Sequence, residues 1–117
     1  MFAKTTKYYY DHVSVQEEGT TSPSGKRELR SVWHINTAPY RGAHCAAFPP
    51  ALAETCIKCS CPEGGLVLDP FLGSGTTMRV AMEEGRDSMG IELNGSYVAY
   101  AKKRLNWGMG LNVEYRG

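Results

Sequence analysis

Residues 66–94, LVLDPFLGSGTTMRVAMEEGRDSMGIELN, carry the clearest structural pattern in this 117-residue chain. The apolar run at residues 66–68 is typical of a strand that is buried on both faces. The glycines within residues 73–75 predict a tight turn, and the threonines that follow, a residue type that caps helices, predict a helix beginning at Thr76. Residues 88–93 predict a second strand. The stretch therefore predicts a parallel β-α-β unit with a right-handed crossover.

The same unit has the features of a nucleotide-binding site. Glycines allow a ligand to approach the main chain, and the start of a helix offers unpaired N–H groups and a partial positive charge. Glu92, at the end of the second strand, can accept hydrogen bonds from two ribose hydroxyls. It follows Asp69 by 23 residues, close to the spacing of the dinucleotide fingerprint. A structural turn without a ligand is the alternative, and the combination of these two acids with Pro70, Phe71, two glycines and two threonines argues against it.

These residues resemble a known family. DPFLGSGTT, residues 69–77, resembles the cofactor motif of the S-adenosylmethionine-dependent DNA amino-methyltransferases, which modify adenine N6 or cytosine N4. GIELN, residues 90–94, resembles the ribose-binding strand of that family, and HCAAFPPAL, residues 44–52, resembles its second cofactor element. The resemblance covers residues 8–105. It implies an α/β, partial Rossmann-like methyltransferase fold, with a parallel β-α-β core, flanking helices and a three-layer arrangement.

The resemblance implies that S-adenosylmethionine is the cofactor. The residues it assigns to cofactor binding are His44, Phe48, Asp69, Pro70, Phe71, Gly73, Ser74, Gly75, Thr76, Glu92 and Leu93. Asp69 and the backbone of residues 73–75 are expected beside the methionine part, and Glu92 beside the ribose. For His44, contact with the ligand and a structural hydrogen bond in a turn are equally good interpretations. Phe48 can serve both the core and the ligand.

A methyltransferase of this kind also needs a site for the target amine, and the base must leave the DNA stack to reach it. In the resembled family that site is Asp, Asn or Ser followed by Pro-Pro and an aromatic residue, and the class resembled here places it before the cofactor motif. The one Pro-Pro pair in this sequence, Pro49-Pro50, lies between Phe48 and Ala51. The motif is therefore absent, and no catalytic residue is assigned.

This absence favours the C-terminal, cofactor-binding part of a split or truncated site-specific enzyme, inactive when isolated. An N-terminal partner polypeptide would then supply the catalytic motif. A non-catalytic module that binds S-adenosylmethionine and a ligand-free structural remnant are the alternatives. A sheet with too few strands should leave an edge or face open, which also favours a homo-oligomer. The net charge of +1 provides no basic field, so DNA is expected as a partner only of a complete enzyme.

Outside the central stretch the pattern is weaker. Residues 1–42 are predicted to form N-terminal strands around a polar loop, and residues 43–117 the cofactor-binding core of one partial domain. The further predicted elements are an extended segment at 8–15, a strand at 28–35, helices at 51–59 and 95–105, and a short strand at 111–115. The basic trio at residues 102–104 is interpreted as a solvated helix face.

Cys45, Cys56, Cys59 and Cys61 allow two interpretations. One is a zinc site that includes His44. The other is a set of small apolar side chains on a helix face. A structural zinc site usually has two ligand pairs well apart in sequence, so no metal is predicted. No apolar run approaches the ~18 residues of a membrane span, and no signal peptide is visible, so a cytoplasmic protein without membrane contact is expected.

Overall fold

The computed structural model describes residues 3–37 and 48–109, except for the side chains of residues 106–109. Its elements are β1 (Glu17–Glu18), β2 (Lys26–Arg27), α1 (Pro50–Ser60), β3 (Leu66–Asp69), α2 (Thr76–Glu83), β4 (Asp87–Gly90) and α3 (Gly95–Met109). Strands β1 and β2 pair antiparallel, and β3 and β4 pair parallel. The strand predicted at 111–115, together with His44 and Cys45, lies outside the described residues.

The β3-α2-β4 segment forms the predicted parallel β-α-β unit. In its register Leu68 lies beside Met89. The pairing continues just beyond the strands, because the Ile91 amide donates to the Asp69 carbonyl at 2.9 Å. Strand β4 nevertheless ends at Gly90 rather than at Leu93 as the sequence predicted.

Helices α1 and α2 pack against each other and build the small core. Helix α1 begins at the predicted prolines, whose missing N–H groups are tolerated in a first turn. The buried cluster consists of Ala53, Ile57, Cys61, Val80 and Ala81, with Val67 of β3 packed against it. Helix α2 therefore covers one face of the β3–β4 sheet. Among residues 3–37 and 48–109, no helix has the length and apolar content needed to span a membrane.

The other face of the β3–β4 sheet, called here the outer face, is not covered by any described residue. Its side chains are Leu66, Leu68, Met89 and Ile91, which are 55–62% exposed. They alternate along the strands with residues that point towards α2. Parallel sheets normally bury both faces. Two layers are thus present in the described part of the chain instead of the predicted three.

The strand predicted at residues 28–35 is wrong, since β2 ends at Arg27. Arg27 and Arg30 both donate through Nε to one carboxylate oxygen of Glu17, at 3.0 and 2.9 Å. The Trp33 indole donates to the Arg30 carbonyl at 2.6 Å. These contacts are local and replace a strand ladder. Strand propensity does not predict whether a neighbouring strand is present, and no described strand pairs with residues 28–35.

Candidate functional site

Residues 72–75, called here the glycine turn, connect β3 to α2. The Gly75 amide donates to the Leu72 carbonyl at 2.9 Å, which closes the turn. Gly73 has φ +52° and Gly75 has φ +79°, both in the left-handed region that glycine adopts without strain. The backbone of the turn therefore favours glycine at both positions.

At Gly75 the missing side chain also makes room for α3. A Cβ atom at this position would lie 3.3 Å from the Ala101 Cβ and 3.7 Å from Leu105 Cδ1, and both of these residues are buried. The space at Gly75 is thus filled by a helix. Gly75 is also the N-cap of α2, which has no side-chain cap, so the capping role predicted for Thr76 is wrong.

Arg104 of α3 holds the glycine turn through a single nitrogen. Its Nη1 donates to the Ser74 carbonyl at 3.0 Å, to Ser74 Oγ at 3.0 Å and to Thr76 Oγ1 at 3.1 Å. Ser74 and Thr76 are 5% and 3% exposed. Their hydroxyls therefore face α3, although the sequence had placed both residues in the ligand site.

The solvated interpretation of the basic trio is wrong for Arg104, which is half-buried against the turn. The sequence contained a pattern that indicates this burial of Arg104. Ala101, Arg104 and Leu105 have the i, i+3, i+4 spacing of one helix face, and the two apolar members of this set are buried. That spacing places the guanidinium on the packed side of α3.

Glu92 contacts the glycine turn from the end of β4. Its Oε2 accepts a hydrogen bond from the Gly73 amide at 2.9 Å, and its Oε1 accepts one from the Asn94 amide at 2.8 Å. The sequence predicted Glu92 at the end of the second strand as an acceptor for ribose hydroxyls, and that role stays a prediction. Both oxygens of the Glu92 carboxylate therefore contact backbone amides at this end of the sheet.

The remaining candidates at this end of the sheet follow the two strands. Asp69 accepts a hydrogen bond from the Phe71 amide at 2.9 Å. Phe71 and Leu93 are 87% and 101% exposed. Pro70, which lies between Asp69 and Phe71, is also exposed. Two apolar side chains are therefore available to a ligand beside the polar turn.

Phe48 lies apart from Glu92, in a groove of about 440 Å³ between α1 and β3, called here the α1–β3 groove. Its lining includes Phe48, Leu52, Cys56, Leu66, Leu68 and Thr77. No lining residue belongs to β4, so the groove follows the edge of β3 that has no partner among the described strands. Thr77, the second residue of α2, connects this groove to the glycine turn.

Cys56, Cys59 and Cys61 do not form a metal site in the described part of the chain, where no three ligating side chains come close enough together. Cys59 and Cys61 are buried and Cys56 is exposed. Burial raises the pKa of the Cys56 and Cys59 thiols. A raised pKa disfavours the thiolate form that binds metal ions.

Comparison with known proteins identifies the family. Residues 1–103 match the family model described as DNA methylase, and the chain belongs to this family of DNA amino-methyltransferases. It is 47% identical to the Type II methyltransferase M.SmaI of Serratia marcescens, over 90% of this chain and 36% of the relative. It is 49% identical to M.Cfr9I of Citrobacter freundii, over 90% of this chain and 34% of the relative. The chain thus spans about a third of the length of these relatives.

Solved structures confirm the partial Rossmann-like methyltransferase fold. The crystal structure of the M1.HpyAVI–SAM complex aligns with a TM-score of 0.63 at 31% identity, over 85% of this chain and 44% of that one. The cytosine-N4-specific PvuII DNA methyltransferase aligns with a TM-score of 0.55 at 32% identity, over 60% of this chain and 29% of that one. The α/β class and the parallel core predicted from the sequence are therefore correct.

Proposed function

We propose that this chain is the cofactor-binding part of a site-specific DNA amino-methyltransferase, and that the glycine turn and Glu92 bind S-adenosylmethionine. The hydrogen bond of 2.9 Å between Glu92 Oε2 and the Gly73 amide carries the proposal. It joins the ends of two parallel strands at their carboxyl edge, where α/β proteins bind ligands. The SAM complex of the related M1.HpyAVI supports the choice of ligand.

Each part of the site suits one part of this cofactor. The first amides of α2 and the partial positive charge of the helix start favour the methionine carboxylate. Glu92 accepts hydrogen bonds from the ribose hydroxyls, and Asp69 lies beside the methionine part. The exposed Phe71 and Leu93 offer apolar surface to the adenosine part. His44 and Phe48, assigned by resemblance, remain proposed contacts.

Methyl transfer, in this proposal, needs residues beyond these 117. The sequence contains no Asp, Asn or Ser before a Pro-Pro-aromatic segment, so nothing assigned in it holds the amine. Correct positioning of two reactants supplies ~7–11 kcal/mol of a reaction barrier, and a chain that binds only the methyl donor lacks that contribution. The nearly neutral net charge also gives little phosphate-driven affinity for DNA.

The uncovered surfaces support association with a further polypeptide. In doubly wound sheets the first strand lies between the second strand and a later one. If β3 is the first strand and β4 the second, a later strand would pair with the edge of β3 that borders the α1–β3 groove. The outer face would be buried by the helices connecting such strands. An N-terminal partner polypeptide fits both surfaces, and a second copy of this chain is the alternative.

Cofactor binding is tested by calorimetry with S-adenosylmethionine. Glu92→Gln removes the negative charge and replaces one of the two acceptor oxygens with a donor, and we expect the affinity to fall by about tenfold or more. Asp87→Asn is the matched control, because Asp87 is exposed at the opposite end of the same strand. Unchanged affinity in Glu92→Gln, or no binding to the unsubstituted chain, would contradict the proposal.

Catalysis is tested by a transfer assay with radiolabelled S-adenosylmethionine and mixed-sequence DNA. We expect no incorporation by the chain alone above that of Gly73→Val, in which a β-branched residue strains the turn at φ +52°. Activity that appears when an N-terminal partner is added would support a split enzyme. Cofactor binding with no activity in either case would favour a non-catalytic module, and incorporation by the chain alone would show that an acceptor site exists within it.

A further inference from the structure

Helix α3 fixes the conformation of the glycine turn, yet none of its residues was assigned to the site. We propose that Arg104 is a positioning residue for the cofactor. Its guanidinium holds the Ser74–Gly75 peptide and the start of α2 in the arrangement that the methionine part of S-adenosylmethionine requires. This inference rests on the proposed function and assigns that function a residue outside the cofactor motif.

The Ser74–Gly75 peptide is held at both ends. Its carbonyl accepts from Arg104 Nη1 at 3.0 Å, and its N–H donates to the Leu72 carbonyl at 2.9 Å. Rotating this peptide would break both hydrogen bonds at once. Because main-chain groups of the turn are what a ligand meets at such a site, fixing one peptide fixes the direction in which the neighbouring amides point.

The same guanidinium orders the first turn of α2. Thr76 is the first residue of that helix, and its Oγ1 accepts from Arg104 Nη1 at 3.1 Å. Ser74 Oγ lies 3.3 Å from Thr76 Oγ1, so the two buried hydroxyls and the guanidinium form one cluster. Since α2 has no side-chain cap, this cluster is the polar contact that holds its first residue.

Helix α3 is packed closely enough to keep this cluster in place. Ala101, one turn before Arg104, would be 3.3 Å from a Cβ atom at Gly75, and Ala101 and Leu105 are 1% and 3% exposed. A turn that is rigid before the ligand arrives loses less conformational freedom on binding. Arg104 therefore contributes to affinity without touching the ligand.

If Arg104 only stabilised the fold, its substitution would weaken the binding of every ligand of the site equally. If it positions the turn, the substitution should weaken only ligands that carry the methionine part. Binding of S-adenosylmethionine and of adenosine, which lacks the methionine part, is measured by calorimetry on the full 117-residue chain. For Arg104→Gln we expect about a tenfold loss for S-adenosylmethionine and less than about a twofold loss for adenosine. Glu92→Gln changes the proposed ribose acceptor and also weakens a hydrogen bond to the Gly73 amide, and should weaken both ligands.

Two further variants complete the experiment. Lys103→Gln removes the same charge from the adjacent, exposed position of α3, and we expect it to leave both affinities unchanged. Arg104→Lys keeps the charge but loses the planar guanidinium, and should give a smaller loss that is again confined to S-adenosylmethionine. Arg104→Lys also provides the answer if Arg104→Gln does not fold.

The outcomes separate the two proposals. Equal losses for both ligands, or no loss in either Arg104 variant, would overturn the positioning role and leave the cofactor site intact. Failure of the unsubstituted chain to bind S-adenosylmethionine would overturn the proposed function, and the role of Arg104 with it. A loss confined to S-adenosylmethionine supports the inference.

Discussion

The glycine turn and the outer face belong to one β-α-β unit but have opposite surroundings. Glu92 accepts a hydrogen bond from the Gly73 amide, and Arg104 donates one to the Ser74 carbonyl. Ser74 itself is only 5% exposed. Leu66 and Leu68, only a few residues earlier, are 62% and 57% exposed. The described residues are thus sufficient to shape the glycine turn at the carboxyl end of the sheet, but they do not bury its outer face.

The largest expected effect compares a core residue with one on the outer face. Ile57→Ala, at a position 4% exposed, should lower the free energy of unfolding by about 2–5 kcal/mol. Leu68→Ala removes a side chain of similar size from a position that is 57% exposed, and should change it by less than about 0.5 kcal/mol. Urea denaturation at low protein concentration measures both values.

Repeating the denaturation at several protein concentrations tests whether a second copy of the chain covers the outer face. A large effect of Leu68→Ala that grows with protein concentration would mean that a second copy covers the outer face. In that case sedimentation of Leu68→Lys should shift towards the monomer. A large effect that does not depend on concentration would contradict the exposure of Leu68.

A smaller effect separates two reasons for a glycine, namely a left-handed backbone and a lack of space for a side chain. Gly85→Ala, at φ +71° with no atom within 4 Å of the new Cβ, should lose about 1–2 kcal/mol of unfolding free energy from backbone strain alone. Gly75→Ala, at φ +79°, should lose a further ~1–3 kcal/mol because its methyl group meets Ala101. Equal losses in urea denaturation would mean that Ala101 moves aside without cost and that backbone strain alone favours glycine at residue 75.

The smallest expected effect is a difference in alkylation rate between two cysteines, one of which lines the α1–β3 groove. Cys56 lines that groove and is exposed, whereas Cys59 is buried. Burial raises the pKa of both thiols, so each has less reactive thiolate at a given pH than an ordinary cysteine, and more as the pH rises. Iodoacetamide should modify Cys56 before Cys59, at rates that keep increasing above the ordinary cysteine pKa.

Mass spectrometry of the alkylated peptides measures this order. Slower modification of Cys56 after a partner polypeptide is added would locate that partner in the groove. Faster modification of Cys59 than of Cys56 would contradict the burial of Cys59.

The parts of the site that the sequence predicted are those determined by local chemistry. The glycines at 73 and 75 are required by the backbone of a single turn, and the position of Glu92 follows from the length of one β-α-β unit. The contact of Arg104 with the turn was missed because it depends on how α3 packs against residues about 30 positions earlier in the chain. The strand at residues 28–35 was wrong for a related reason, since strand formation requires a partner that propensity does not supply.

The parallel pairing of β3 with β4 also has a consequence for folding. Leu66 pairs with Asp87, a separation of only 21 residues (87 − 66). A loop of this size costs less entropy to close than a longer one, so this pairing should form earlier than pairings between residues further apart in the chain. We therefore expect the β-α-β unit to assemble before its outer face can be covered by anything more distant. During that interval an apolar surface and an unpaired strand edge stay in water, and aggregation competes with completion of the sheet.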